Sequence, residues 1–189
     1  MEYALSLLRN IHSLSDAFVQ DLGTRIRRLE PKKNATLLLP GDICQNIFFI
    51  EEGMLACYDI EGRKRYCSWI MIKGDFVTSV KSFNLRVPST EEIIALTKCR
   101  LLAISRTDTD QLTERHPEFA AIRQELTDRY HIQSREMDVQ RKRPNEKFYE
   151  YLRKTYPEIV LTAPKTVLAS LMGITRTTLD GIIDKRGER

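Results

Sequence analysis

The apolar and polar positions of the chain change period twice. In residues 1–30 the apolar positions follow helical spacing: Phe18, Leu22 and Ile26 recur at i, i+4 and i+8, and Leu29 closes the stripe. Ser15 or Asp16 is placed to cap its start. Between residues 34 and 105 the pattern shortens to ATLLLP, NIFFIE, GMLACYDI, KRYCSWIMI, EEIIALT and CRLLAIS, runs rich in branched and aromatic side chains. Turn signals separate them at Pro40-Gly41-Asp42, Glu52-Gly53, Glu61-Gly62-Arg63, Lys73-Gly74-Asp75 and Pro88. Short strands so punctuated predict a closed sandwich or barrel. From residue 106 the helical period returns. RTDTDQLTERH predicts a short helix, and Pro117 opens a longer one through about Gln140. On that helix Phe119, Ile122, Leu126, Tyr130 and Met137 approximate one stripe, interrupted at Gln133. A long helix with a narrow apolar seam predicts pairing with a second copy of the chain.

The charged stretch RKRPNEK, 141–147, predicts a hinge, because Pro144 disfavours continued helix. Phe148, Tyr149 and Leu152 restart a helix that stops near Tyr156-Pro157. The segment KTVLASLMGITRTTLDGII, 165–183, then has the makings of a helix-turn-helix. Such a pair needs a small residue at the crossing, here Ala169, and a sharp connection tolerating positive φ, here Gly173. Leu168, Met172, Ile174, Leu179 and Ile182 fall where the inner faces meet. Thr175 is positioned to cap the second helix, while Thr162 and Pro164 suit the start of the first. On the outer face, Arg176 can pair with guanine, and Thr177 and Thr178 can reach a phosphate or a thymine methyl. Lys165, Thr166, Lys185 and Arg186 can bind phosphates. Asp180 and Asp184 oppose a polyanion, and Gly181 offers no side chain.

Charge sharpens this picture. Before residue 141 there are 19 Lys and Arg against 20 Asp and Glu; from 141 on there are 11 against 6. The excess of the +4 chain thus lies in its last quarter, which points to an anionic partner there. The cysteines Cys44, Cys57, Cys67 and Cys99 lack CxxC spacing and are expected to be buried free thiols. His12, His116 and His131 all lie outside 34–105, which argues against a cupin-like metal enzyme. No nucleophile motif or phosphate-cradling glycine loop is readable, so no catalytic, metal or cofactor site is assigned and no enzyme activity is expected. No apolar run approaches the ~20 residues of a membrane helix. The N-terminus, broken by Glu2, Arg9, Asn10, His12 and Asp16, is unlike a signal or transit peptide. A cytoplasmic protein without a membrane partner is expected.

This order of parts resembles the Crp/Fnr family of bacterial transcription regulators. LLLPGDICQNIFFIEEGMLACYDIEGRKRYCSWIMIKGDF is similar to that family's cyclic-nucleotide-binding β-roll, with turn glycines at 41, 53, 62 and 74, and VLASLMGITRTTLDGII to its winged recognition unit. The resemblance implies an α+β chain: an antiparallel, jelly-roll-like β-roll sensor over 1–116, a dimerisation helix over 117–140, and a winged helix-turn-helix-like DNA-binding domain over 141–189. It further implies a homodimer on double-stranded DNA, RNA polymerase as a partner, DNA contacts at Arg176, Thr177 and Gly181, and an effector pocket inside the β-roll. In the family's cyclic AMP mode, a glycine–glutamate pair holds the ribose and an arginine followed by serine or threonine holds the phosphate. In GDFVTSVKSFNLRVPSTEE the first pair becomes Thr78 and Ser79 and the second Ser89 and Thr90. Glu91 and Glu92 follow, and Arg86 stands three residues upstream. The usual cyclic AMP mode is therefore not expected; these hydroxyls suit a neutral polar effector of unknown identity, or a filled pocket. The competing expectation is a ligand- or protein-binding signalling module that does not bind DNA.

Overall fold

The computed structural model describes residues 1–62, 64–185 and 187. Helices α1 (Glu2–Arg9) and α2 (Asp16–Arg25) precede the strands. Ser15 caps α2, its Oγ accepting from the Phe18 N–H at 3.1 Å. The stripe ends earlier than its spacing suggests: Ile26 is extended, and Leu29 belongs to strand β1 (Arg27–Leu29). The following strands are β2 (Thr36–Leu38), β3 (Asn46–Glu52), β4 (Leu55–Glu61), β5 (Lys64–Met71), β6 (Phe76–Val77), β7 (Glu91–Ala95) and β8 (Arg100–Ser105), with a short helix α3 (Val80–Leu85) between β6 and β7.

All strand pairs are antiparallel and build two four-stranded sheets, ordered β1-β8-β3-β6 and β2-β7-β4-β5. Their facing sides enclose one apolar core, which includes Phe48, Ile50, Leu55, Ile93, Leu101 and Ala103. This is the β-roll that the short runs between turn signals lead one to expect. The cysteines are all buried and unpaired.

Four helices form a second core against the roll. Helix α4 (Arg106–Arg115) and the first turns of α5 (Pro117–Arg141) close on α1 and α2, burying Leu5, Phe18, Leu112, Phe119 and Ile122 together. The chain ends in α6 (Asn145–Thr155), α7 (Pro157–Thr162), α8 (Lys165–Leu171) and α9 (Arg176–Lys185). Thr162 thus closes α7, and Pro164 alone sits at the start of α8. Among the described residues no strand follows β8, so the C-terminal unit lacks the strands that an expected wing requires.

A third core joins this helical unit to the outer face of β4 and β5: Met54, Ala56, Tyr58 and Ile70 pack with Phe148, Leu152, Leu168 and Leu171. Strand β5 is the last of its sheet. Its Cys67 N–H donates to Ser170 Oγ on α8 at 2.9 Å. A bulge in the β4–β5 ladder leaves Ser68 without a Cα partner, and Arg141 at the end of α5 donates to its carbonyl.

Candidate functional site

A cavity of about 560 Å³ runs between the strands and α5 and extends beneath α1. Its strand wall includes Cys57, Asp59, Ser68, Trp69, Thr78 and Glu91; its helix wall includes Leu126, Tyr130, Gln133, Ser134, Asp138 and Arg141. That size suits a small organic molecule. Of the residues expected to hold an effector, Thr78 lies on the wall, its hydroxyl donating to the Asn46 carbonyl at 3.1 Å. Ser79 and Ser89 are buried behind it, with their hydroxyl oxygens 3.1 Å apart. Two of the five are misplaced. Arg86 is the exposed C-cap of α3 with φ 59°, and Thr90 is exposed; neither lines the cavity. The reason for Arg86 is local: α3 ends in a left-handed residue, which turns the chain before it enters β7.

Glu91, next in the chain, does reach the cavity. Its carboxylate accepts a hydrogen bond from the Ser79 hydroxyl, and its backbone N–H donates to Ser89 Oγ at 3.0 Å. Burial holds this carboxyl above its ordinary range; the Ser79 bond pulls it back and the nearby charge of Asp59 pushes it further up. Asp59, directly across the β4–β7 ladder from Glu91, is exposed to solvent at the cavity; partial desolvation raises its carboxyl and Arg141 lowers it. The spacing of LACYDI contains a signal for Asp59, which shares parity with the inward-facing Leu55 and Cys57. Its pairing with Glu91 depends on a strand register that spacing does not carry.

Within one chain, the five residues expected to form a seam on α5 divide between two cores and the cavity. Phe119 and Ile122 are buried against α1, α2 and α4, with Leu126 packed at the edge of that core, and Met137 is buried against the helical unit and the strands. Tyr130, which is 41% exposed, lines the cavity. The apolar stripe therefore serves the chain's own cores. The outward face of α5 instead carries Ile132 at 68% exposure and Val139 at 51%. These two are seven residues apart, a full heptad.

At the C-terminus, α8 ends in a Schellman motif: Gly173 N–H bonds the Ser170 carbonyl and Ile174 N–H the Ala169 carbonyl, both at 3.0 Å. Gly173 takes φ +69°, as its place in the sequence requires. Ala169, Leu168, Met172, Leu179 and Ile182 are buried between the two helices and their neighbours. Thr175 Oγ1 accepts from the Thr178 N–H at 3.1 Å, capping α9. Thr175→Ala is expected to cost about 1 kcal/mol of stability, and Thr175→Ser much less, measured by urea unfolding.

The outer face of α9 is open. Arg176, Thr177, Thr178, Gly181, Asp184 and Lys185 are all exposed, as are Lys165 and Thr166 on α8. Asp180 is not a bare charge: Lys165 Nζ donates to it at 2.8 Å, and Arg176 Nε lies 3.6 Å away. The hydrogen bond from Lys165 and the charges of both cations hold its carboxyl below the usual carboxylate range. The structure thus brings Lys165, Arg176 and Asp180 into one cluster at the mouth of the helix pair. Arg186 lies outside the described residues.

Residues 28–116 match the cyclic nucleotide-binding domain family, the segment running from β1 through α4. That segment is similar to cyclic nucleotide-binding domains. The whole chain has the fold of the Crp/Fnr regulators. FixK2 from Bradyrhizobium japonicum superposes with a TM-score of 0.72 at 9% identity, covering 85% of this chain and 83% of that one. A transcriptional regulator of the Crp/Fnr family from Eubacterium rectale gives 0.71 at 13% identity, covering 91% and 83%. The c-di-GMP-responsive global regulator CLP of Xanthomonas campestris gives 0.67 at 17% identity, covering 92% of both chains. Comparison with curated protein sequences gives no match. Among the described residues no helix is long and apolar enough to cross a membrane. The strands that line the cavity, β4–β5 and β6–β7, lie within the matched segment, whereas α5, α8 and α9 lie beyond it.

Proposed function

We propose that the chain is a homodimeric, DNA-binding transcription regulator without enzyme activity. In this reading residues 1–116 sense an effector, 117–140 dimerise and 141–189 hold DNA through a helix-turn-helix. The observation that carries it is α9. Its inner side, Leu179, Ile182 and Ile183, is buried, while its entire outer side from Arg176 to Lys185 is open and rimmed by Lys165, in the part of the chain that holds the basic excess. A helix presented in this way fits the major groove, with Arg176 near its N-terminus toward base edges and Lys165, Thr166 and Lys185 toward phosphates. Two copies joined along α5 would place two such helices on successive grooves, about 34 Å apart. On promoter DNA the dimer would meet RNA polymerase, the partner that the family resemblance implies.

The cyclic nucleotide-binding domain does not take cyclic AMP in the usual mode, because the positions of the ribose and phosphate ligands carry Ser79 and Ser89, both engaged with Glu91. The alternative, a signalling module that does not touch DNA, draws on one feature: Asp180 already occupies Lys165 and approaches Arg176.

Selection of bound fragments from random duplexes, followed by titration at several salt concentrations, decides between them. The regulator enriches two-fold-related half-sites with a steep salt dependence. Arg176→Ala then loses about 1–3 kcal/mol of discrimination at one position, while Lys185→Ala weakens all sequences alike. Absence of retained DNA at low salt rejects the regulator.

A further inference from the structure

The β4–β7 ladder places Asp59 directly opposite Glu91, and both side chains line the cavity. Like charges facing each other across antiparallel strands work against the sheet. The adjacent pair shows the usual remedy. Glu92, one residue on and therefore on the opposite face, opposes Tyr58 and is ion-paired with Arg65 at 2.9 Å, whose guanidinium also covers the Tyr58 ring. Glu91 has no such partner: among the described residues no lysine or arginine forms an ion pair with it, and its carboxylate is held only by the Ser79 hydroxyl. The Ser79 and Ser89 hydroxyls are thus engaged with this residue, since Ser79 donates to its carboxylate, Ser79 and Ser89 bond each other, and Ser89 also bonds the Glu91 backbone.

The arginines along the cavity are already committed to their own chain. Arg141 donates to the Ser68 carbonyl and lies 3.4 Å from Asp138. Arg129 bonds Glu125 at 2.8 Å, and Arg123 donates to the Thr113 hydroxyl at 2.9 Å. Tyr130 and Trp69 add aromatic surface to the same cavity. The arginines all stand on the helix wall; on the strand wall a fixed carboxylate, a second one across the ladder and the neighbouring Trp69 ring together favour a positive charge.

We propose that this cavity binds a small organic cation, an amine or guanidine attached to an apolar or aromatic body, with Glu91 and Asp59 as its counter-charges. The proposal rests on the reading of the cavity as the effector site and makes the effector a cation, where the hydroxyls alone suited a neutral polar molecule.

The test is calorimetric titration of the full-length protein at physiological salt with 2-phenylethylammonium, benzylguanidinium, their neutral counterpart 2-phenylethanol, and cyclic AMP. At least one of the two cations binds, and 2-phenylethanol binds at least about tenfold more weakly. Glu91→Gln and, independently, Asp59→Asn weaken the cation by about tenfold or more while leaving 2-phenylethanol unchanged. Both variants, measured without ligand, melt no lower than the wild type, because each removes one member of a like-charged pair; a clear drop for both assigns these carboxylates to structure and overturns the proposal. Binding of cyclic AMP or of 2-phenylethanol in preference to the cations overturns the charge assignment alone and leaves the effector site standing. Absence of binding by all four probes overturns both.

Discussion

Gly53→Ala is expected to unfold the protein at a markedly lower temperature than any other glycine change in the strand region. Gly53 turns the chain from β3 into β4 with φ +96°. An alanine Cβ there would sit 2.6 Å from the Lys98 carbonyl oxygen and from Cys99 Sγ, and 2.9 Å from Cys99 Cα. Two of these atoms are backbone, and Cys99 is buried, so the neighbours have nowhere to go. Left-handed strain costs about 1–3 kcal/mol and forced overpacking a similar amount, so a loss of about 3 kcal/mol or more is expected. For a chain of this size that lowers Tm by roughly 6–12 °C. Gly41→Ala is the control. Its φ of +91° carries the same strain, but a Cβ there meets nothing within 4 Å. A thermal melt in which the two variants coincide would refute the packing argument.

If the proposed dimer forms along α5, replacing Ile132 and Val139 together by aspartate is expected to separate it without unfolding its subunits. Both side chains are more than half exposed in the single chain, so the substitution places no charge in a core. In an α5–α5 interface the same charges would be buried unpaired, which strongly opposes association. Light scattering should then report a single 22.0 kDa chain, with helical content and Tm of the fold preserved. Affinity for a two-half-site duplex should fall by about 100-fold or more, because each recognition helix then binds alone. Ile122→Asp provides the contrast: Ile122 is fully buried beside Phe18 and Leu112, and its loss should unfold the N-terminal core. A double variant that stays dimeric places the interface elsewhere.

Helix α5 shows where pattern alone stops. Phe119, Ile122 and Leu126 announce an apolar face, and that face exists; what covers it is α1, α2 and α4, which only the fold brings there. The true outward residues, Ile132 and Val139, are too sparse to register as a stripe. Strands such as β3, β4 and β5 were legible because seven or eight residues carry a period. Strand β6, with two residues, and α3 and α7, with six each, are too short to show one and take their shape from neighbouring elements. Gly173 and Ser15 were legible because caps and αL turns are chemically local. The Glu91–Asp59 juxtaposition spans 32 residues and rests on ladder register, which the sequence expresses only through the finished sheet.

The sealing of β5 by α8 bears on how freely this architecture can be recombined. A chain cut after Arg141 would leave the Cys67 amide without Ser170 and uncover Ala56, Tyr58 and Ile70, an open strand edge beside an apolar patch. Such an edge invites pairing with another copy, so the isolated sensor should self-associate rather than persist as a tractable fragment. Grafting a foreign C-terminal unit onto this β-roll would meet the same difficulty unless the graft brought its own small hydroxyl side chain to Cys67 and its own apolar face to β4. The two halves are thus matched parts, and exchange between relatives should succeed only where that one strand edge is carried along with its cover.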